Sequence, residues 1–269
     1  MVKTHRDTIS VNDCQVLAHY QFKADQYIVT LESKEIADST RPGQFVHLSV
    51  SGMLAMRRPI SVMSVDADNG TFDLLYKIVG EGTKQLADRK IGDVLSVIGP
   101  IGNGFELTDR KIPLLIGGGV GMPPMIAIAQ KIKDNAYYNP YVILGSEVPF
   151  PFEASQSSLS GFNSSSFHTM PLLEEWRVPC GLASLQDYEG VYKGYVTDLA
   201  REYLDSLSSS DLKEVEVFTC GPNPMLEAVS KLSNEYNLPC QPSIDKYSAY
   251  AGGGCAGRVD EVATENVTA

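Results

Sequence analysis

The chain has 269 residues, 43% of them hydrophobic and 20% charged, proportions of a soluble globular protein with about two domains. Its net charge of −11, with no basic block to offset it, argues against nucleic acid as the main partner. The five cysteines, at 14, 180, 220, 240 and 255, are odd in number and scattered; that excludes a disulfide framework and makes a reducing compartment, the cytoplasm, the expected location.

The opening "MVKTHRDTIS" lacks an apolar h-region, so no secretory signal is expected. Up to about Leu107 the chain reads as mostly β. The runs "QYIVTLES" (Gln26 to Ser33), "GQFVHLSV" (Gly43 to Val50), "RPISVMSV" (Arg58 to Val65), "TFDLLYKIV" (Thr71 to Val79) and "DVLSVIGP" (Asp93 to Pro100) are rich in β-branched and aromatic residues. Turn signals such as Arg41-Pro42-Gly43 and Asp68-Asn69-Gly70 separate them, and this spacing predicts a small antiparallel barrel with one helix, "GTKQLADRK" (Gly82 to Lys90). Within "RRPIS" (Arg57 to Ser61), strand alternation places Arg58 and Ile60 on one face and Ser61 on the other; by itself this reads better as an edge strand with surface arginines than as a binding site. In "YKIVGEGTKQL" (Tyr76 to Leu86), Gly80, Gly82 and Thr83 open a helix and make a candidate anion site, with Thr83 as a candidate cap.

After Lys111 strands and helices alternate. "IPLLIGG" is a strand, "PPMIAIAQKIKD" a helix, "YVILGS" (Tyr141 to Ser146) a strand, "VTDLAREYLDSL" (Val196 to Leu207) a helix, "EVEVFTCG" (Glu214 to Gly221) a strand and "PMLEAVSKLSNEY" (Pro224 to Tyr236) a helix. That order predicts a parallel sheet with helices on its faces. The uncharged run from Ile112 to Gln130 is long enough to raise a membrane span, but its four glycines and three prolines read better as a buried strand ending in a turn. Gly117, Gly118, Gly119, Val120 and Gly121 join that strand to a helix. Such a turn lets backbone approach a diphosphate at a helix start, although it also occurs as a ligand-free connection. Cys220, Gly221 and Pro222 end another strand, where the ligand crevice of an open parallel sheet lies; Cys220 is either a buried small hydrophobe or a thiol near a cofactor ring. "EASQSSLSGFNSSS" (Glu153 to Ser166) and "DSLSSSD" (Asp205 to Asp211) read as exposed serine-rich loops, and the histidines look scattered and structural. The expected division is a barrel over residues 1–107, an α/β domain over 108–237 and a short terminal segment over 238–269. Phosphate-type turns in two differently built halves suggest a protein that holds two nucleotides.

The order of these motifs, with "GPIGNGF" (Gly99 to Phe105) and "KGYVTD" (Lys193 to Asp198) between them, resembles the electron-transfer subunit of NAD-dependent (class 1B) dihydroorotate dehydrogenases, in the ferredoxin–NADP reductase superfamily. The resemblance runs from about Val16 to Gly257. It implies an FAD-binding barrel, an NAD-binding α/β domain and electron exchange between NAD(H) and an FMN-containing subunit that oxidises dihydroorotate in pyrimidine biosynthesis. It assigns Arg58, Pro59, Ile60 and Ser61 to the flavin motif, Leu75, Tyr76 and Lys77 to a second FAD-contacting strand, and Gly82 with Thr83 to the diphosphate turn. Gly117 to Gly121 would hold the nicotinamide dinucleotide, with Cys220, Gly221 and Pro222 beside its ring. Glu147 is placed to accept hydrogen bonds from the adenine ribose, which favours NADH over NADPH. "SIDKYSAYAGGGCAGR" lines up with the family's [2Fe–2S] loop, but Tyr250 and Arg258 stand where cysteines would, so Cys255 is the one ligand position retained and a cluster held by this chain alone is not expected. Two other readings stay open: a stand-alone NAD(P)H reductase of flavin, ferredoxin or quinone, and a redox-inactive assembly or regulatory subunit.

Overall fold

The computed structural model describes residues 9–50, 56–159 and 166–244. In the first half, strands β1 (Ser10–Phe22), β2 (Gln26–Glu32), β3 (Phe45–Ser49), β4 (Arg58–Asp66), β5 (Thr71–Lys77) and β6 (Val94–Ile101) are joined in part by helices α1 (Lys34–Ser39) and α2 (Glu81–Ala87). They close an antiparallel barrel in the order β1-β2-β5-β4-β3-β6. Period-2 alternation explains the core: Val29 and Leu31 on β2, Val46 and Leu48 on β3, Phe72 and Leu74 on β5, and Leu95 and Val97 on β6 all point inward. The longest strand, β1, is absent from the sequence expectation. Its exposed Val11, Asp13 and Gln15 break the apolar run, and only Cys14 and Val16 are fully inside. It pairs with β2 on one side and β6 on the other, and so closes the barrel without leaving an edge.

The second half contains β7 (Ile112–Gly118), α3 (Met122–Ile132), β8 (Tyr141–Gly145), β9 (Ser155–Gln156), β10 (His168–Thr169), α4 (Pro171–Glu175), β11 (Cys180–Ser184), β12 (Tyr192–Lys193), α5 (Val196–Ser206), α6 (Ser209–Leu212), β13 (Val215–Gly221), α7 (Asn223–Glu235) and β14 (Cys240–Ile244). Six of these strands form a parallel sheet in the order β12-β11-β8-β7-β13-β14. Every residue of β7, β8, β11 and β13 is buried, because α3 covers one face of the sheet and α5 with α7 the other. No helix among the described residues is long and apolar enough to cross a membrane.

Three expectations change. The α/β sheet does not stop at residue 237: Cys240–Ile244 is its edge strand, in register with Val217–Gly221. The serine-rich flank after Glu153 is tied down, since β9 pairs with β10 and the Ser157 and Ser158 hydroxyls donate to Glu174 at 2.8 and 2.6 Å. These bonds hold the Glu174 carboxyl below its ordinary range against the opposing effect of burial. In "DSLSSSD", Ser208 caps α6 by accepting from the Asp211 N–H at 3.1 Å.

The halves meet along α3. Met63 of β4 and Leu75 of β5 leave the barrel interior and pack into the same core as Met122, Met125 and Ile126. Alternation from Ile60 and Val62 turns Met63 outward, and the register shift between Val62 and Ser64 then changes the parity, so that Ser64 also faces away from the barrel and Val65 packs on its core.

Candidate functional site

The barrel brings together two motifs that lie far apart in sequence. Arg58 opens β4, and Gly82 sits in the first turn of α2, where an added Cβ would lie 1.8 Å from Arg58 Nε and 2.5 Å from Cζ. Only glycine lets the guanidinium lie against this helix start. Among the described residues Arg58 makes no ion pair; its Nη1 donates to the Met56 carbonyl at 2.8 Å. A cation beside the positive end of a helix dipole is unfavourable unless an anion lies between them, so the arrangement suits a diphosphate. Thr83 organises the turn from inside the helix rather than as its N-cap, which is Gly80. The Thr83 Oγ1 accepts from the Val79 and Gly80 N–H groups at 2.9 and 3.2 Å and donates to the Gly80 carbonyl at 3.0 Å. A helix start leaves its first-turn amides without intrahelical acceptors.

The sheet makes a second convergence. Gly117 at the end of β7 is paired with Cys220 at the end of β13, and one 3₁₀ turn, Gly119–Gly121, leads into α3. Gly119 has φ +56°, in the left-handed region that favours glycine. A Cβ on Gly121 would meet the Cys220 carbonyl oxygen at 2.3 Å and Gly221 Cα at 2.7 Å. Gly118 and Gly221 both lie against Met225, at 2.5 Å from Sδ and 2.6 Å from Cε for an added Cβ. Gly117–Gly121 and Cys220–Pro222 are therefore one continuous backbone surface. It lies at the end of β7, the first strand of this sheet in chain order, which has its successor β8 on one side and the much later β13 on the other, the switch point at which parallel sheets open a crevice.

These two surfaces face known proteins of matching architecture. Residues 13–105 match the family model described as an oxidoreductase FAD-binding domain. Among solved structures, the NADH-dependent reduced ferredoxin–NADP oxidoreductase has TM-score 0.71 at 22% identity, covering 94% of this chain and 82% of that one. The ferredoxin reductase of carbazole 1,9a-dioxygenase has TM-score 0.68 at 21% identity, covering 89% and 70%. Both likenesses speak to the fold. The dihydroorotate dehydrogenase B (NAD(+)) electron transfer subunit of Caldanaerobacter subterraneus subsp. tengcongensis is 32% identical over 245 residues, 90% of this chain and 85% of that protein. The corresponding subunit of Listeria innocua is 32% identical over 225 residues, 81% and 77% of the two chains. This chain belongs to the family of dihydroorotate dehydrogenase B electron-transfer subunits.

The remaining residues expected from that family separate by where their side chains go. Ile60 and Tyr76 face the barrel core, Leu75 the seam. The Tyr76 ring stacks on Tyr27 at 5.3 Å, and its hydroxyl donates to His19 Nε2 at 2.8 Å, while His19 Nδ1 donates to the Arg89 carbonyl at 2.9 Å. Burial pushes the Tyr76 phenol pKa well up, in keeping with a side chain turned into the barrel. Ser61, half-buried, lies opposite Phe45, and Pro59 and Lys77 are at least partly open to solvent. Cys220 is 3% exposed and packs into the core on the α3 side, which makes it first of all a packing residue. Glu147 is exposed just past the end of β8. Tyr250, Cys255 and Arg258 lie outside the described residues. The sequence reading missed Phe105, whose ring fills the space over Gly43, 2.6 Å from an added Cβ, and meets Phe218 edge-on at 5.8 Å. A glycine and an aromatic some sixty residues apart carry no local signal of such contact.

Proposed function

We propose that this chain is an FAD-dependent NAD(H) oxidoreductase module that passes electrons between NAD(H) and a dihydroorotate-oxidising partner subunit containing FMN. The observation that carries this reading is the pair of glycine cradles, at Gly82 against Arg58 and at Gly121 against Cys220, on either side of a seam closed by Met63 and Leu75. In this reading Arg58, with the amides around Gly82 and Thr83, holds the FAD diphosphate. Pro59, Ile60 and Ser61 with Leu75, Tyr76 and Lys77 supply the strand surface against which the cofactor lies, and Gly117 to Gly121 with Cys220, Gly221 and Pro222 receive the pyridine nucleotide. FAD, when bound, supplies the hydride chemistry, and the protein's part is to orient the two rings and keep water from the seam. Glu147 selects NADH, because a carboxylate there repels a 2′-phosphate. The working domains are a barrel to about residue 107 and an α/β domain from 108 through β14.

With Tyr250 and Arg258 at two ligand positions, this chain alone holds no [2Fe–2S] cluster in this reading. Iron and acid-labile sulfide analysis of anaerobically purified protein tests that, and stoichiometric iron would overturn it. The same two substitutions favour a second reading, a stand-alone reductase of flavin, ferredoxin or quinone. The deciding experiment has two stages. NADH should bleach the visible flavin spectrum of the purified chain; a colourless protein that refuses added FAD would sink the proposal and leave the assembly role. Mixing with a dihydroorotate-oxidising subunit should then couple dihydroorotate oxidation to NADH formation, whereas turnover with free acceptors and no coupling would favour the stand-alone reductase.

A further inference from the structure

β4 pairs with β3 only over Arg58–Ser61, and the Val62 N–H goes to the Gln44 carbonyl at 3.1 Å. Beyond that point the side of β4 turned away from β5 has no strand partner among the described residues. Val65 stands there, and its backbone groups are met from the other domain. Gln130, in the last turns of α3, accepts from the Val65 N–H through Oε1 at 3.0 Å and donates to the Val65 carbonyl through Nε2 at 2.8 Å. A carboxamide is one acceptor and one donor on a planar group, so it reproduces what a neighbouring strand residue would offer. Glutamate lacks the donor and methionine lacks both.

What the clasp joins is the point. α3 begins at Met122, immediately after the Gly119–Gly121 turn, and β4 begins with Arg58–Ser61. Gln130 thus ties the element that carries one proposed nucleotide cradle to the element that carries the other. A second clasp lies elsewhere along the boundary: the Gln26 Nε2, at the start of β2, donates to the Pro149 carbonyl at 2.7 Å, just past β8. The Met63–Met125 packing between the halves is unbranched, adaptable and non-directional, and by itself leaves the docking angle loosely set.

We propose that Gln130 is a positioning residue for hydride transfer: its two bonds to Val65 fix the angle between the barrel and the nucleotide domain, and with it the alignment of nicotinamide on flavin. This rests on the function proposed above. Both ends of the Gln130 carboxamide are taken up by Val65, and the residue belongs to neither proposed cradle, so its loss should leave binding alone and slow the transfer, since a small displacement of reacting groups costs on the order of tenfold to a hundredfold in rate. The test uses the full chain loaded with FAD and mixed anaerobically with NADH in a stopped-flow instrument. For Gln130→Met, a near-isosteric side chain, the limiting rate of flavin reduction should fall about tenfold or more while the NADH dissociation constant stays within about twofold. The long-wavelength charge-transfer absorbance of the NADH–flavin pair should weaken in parallel. In the FAD-free variant, hydrogen exchange at the Val65 amide should speed up relative to wild type. Gln130→Glu, which keeps the acceptor and loses the donor, should lie between the two and provides the same readouts if the methionine variant does not fold. A Gln130 variant with fast Val65 exchange but a wild-type limiting rate would overturn the inference, as would a loss confined to NADH affinity. Failure of the wild-type flavin to bleach at all would instead count against the function proposed above.

Discussion

Replacing Gly82 by alanine separates the fold from the proposed FAD site, because the two effects have opposite signs. Gly82 lies in a helical turn and outside the left-handed region, so alanine suits the backbone and favours helix by about 1 kcal/mol. The new Cβ would sit 1.8 Å from Arg58 Nε and 2.6 Å from Nη2, so the guanidinium has to leave. It is the far end of a flexible side chain, held by the carbonyls of Met56 and Arg57, and its departure costs the fold little. The ligand loses more: a charge-assisted hydrogen bond is worth roughly 1.5–3 kcal/mol, which at about 1.4 kcal/mol per tenfold weakens FAD binding roughly 10- to 100-fold. Titrating FAD-free protein with FAD while following flavin fluorescence gives the affinity, and thermal unfolding of the FAD-free protein gives the stability. Because Gly82→Ala acts by moving Arg58, the Gly82→Ala/Arg58→Met double variant should bind FAD no more weakly than Arg58→Met alone. Unchanged FAD affinity in Gly82→Ala, or additive losses in the double variant, would refute the reasoning.

Gly121→Ala meets rigid backbone of β13 at 2.3 Å rather than a mobile side chain, so it should destabilise the protein by about 1–3 kcal/mol and lower Tm by roughly 2–4 °C per kcal/mol. Gly119→Ala has open space around it but φ +56°, and calorimetry should show only the strain cost of about 1–2 kcal/mol. For His47, burial first and the Arg57 charge second hold the pKa below its ordinary 6.5. The unfolded chain then takes up a proton that the folded chain resists; stability is present above pH 6.5 and is lost as pH falls below it, and in denaturant titrations between about pH 7 and pH 5 His47→Gln should flatten that slope. Burial pushes the Cys14 and Cys180 thiols up to about 12, so in a background lacking Cys220, Cys240 and Cys255 a thiol reagent at about pH 8 should label the protein no faster than it unfolds.

The elements legible in the sequence are those whose burial is uniform or strictly alternating. β7 reads as an unbroken apolar run because helices cover both its faces, β13 is mostly apolar for the same reason, and β2 alternates cleanly around the barrel. β1 fails that test with its mixed outward face, and β11, "CGLAS", though buried throughout, shows no apolar run because small residues are needed: a Cβ on Gly181 would lie 2.8 Å from the Tyr141 hydroxyl. β14 was hidden by Pro242, which an edge strand tolerates. At the candidate site the glycines were visible as punctuation, but not what each glycine lets approach. That Gly82 faces Arg58, and Gly121 faces Cys220, follows from how the fold sets α2 against β4 and the turn before α3 against β13. Gln130 gave no signal at all, since a glutamine on an amphipathic helix looks the same whether it meets water or a backbone.

The two ends of the proposed electron path are built by different means, and this decides what the altered terminal segment can affect. The NADH-to-flavin end rests on backbone-to-backbone approaches and on β4, α2, β7 and β13, all inside the described fold. The other end begins at β14, which is held at the sheet edge through Gln241: its Nε2 donates to the Glu106 carbonyl at 2.7 Å and to Glu216 at 2.9 Å, and Thr108 donates to the same buried carboxylate at 2.6 Å. That network fastens the segment joining the two domains to the strand from which residues 245–269 continue. In the function proposed above, Tyr250 and Arg258 bear on where electrons leave and not on the cradles through which they arrive, so flavin reduction by NADH should be indifferent to whether any cluster is present.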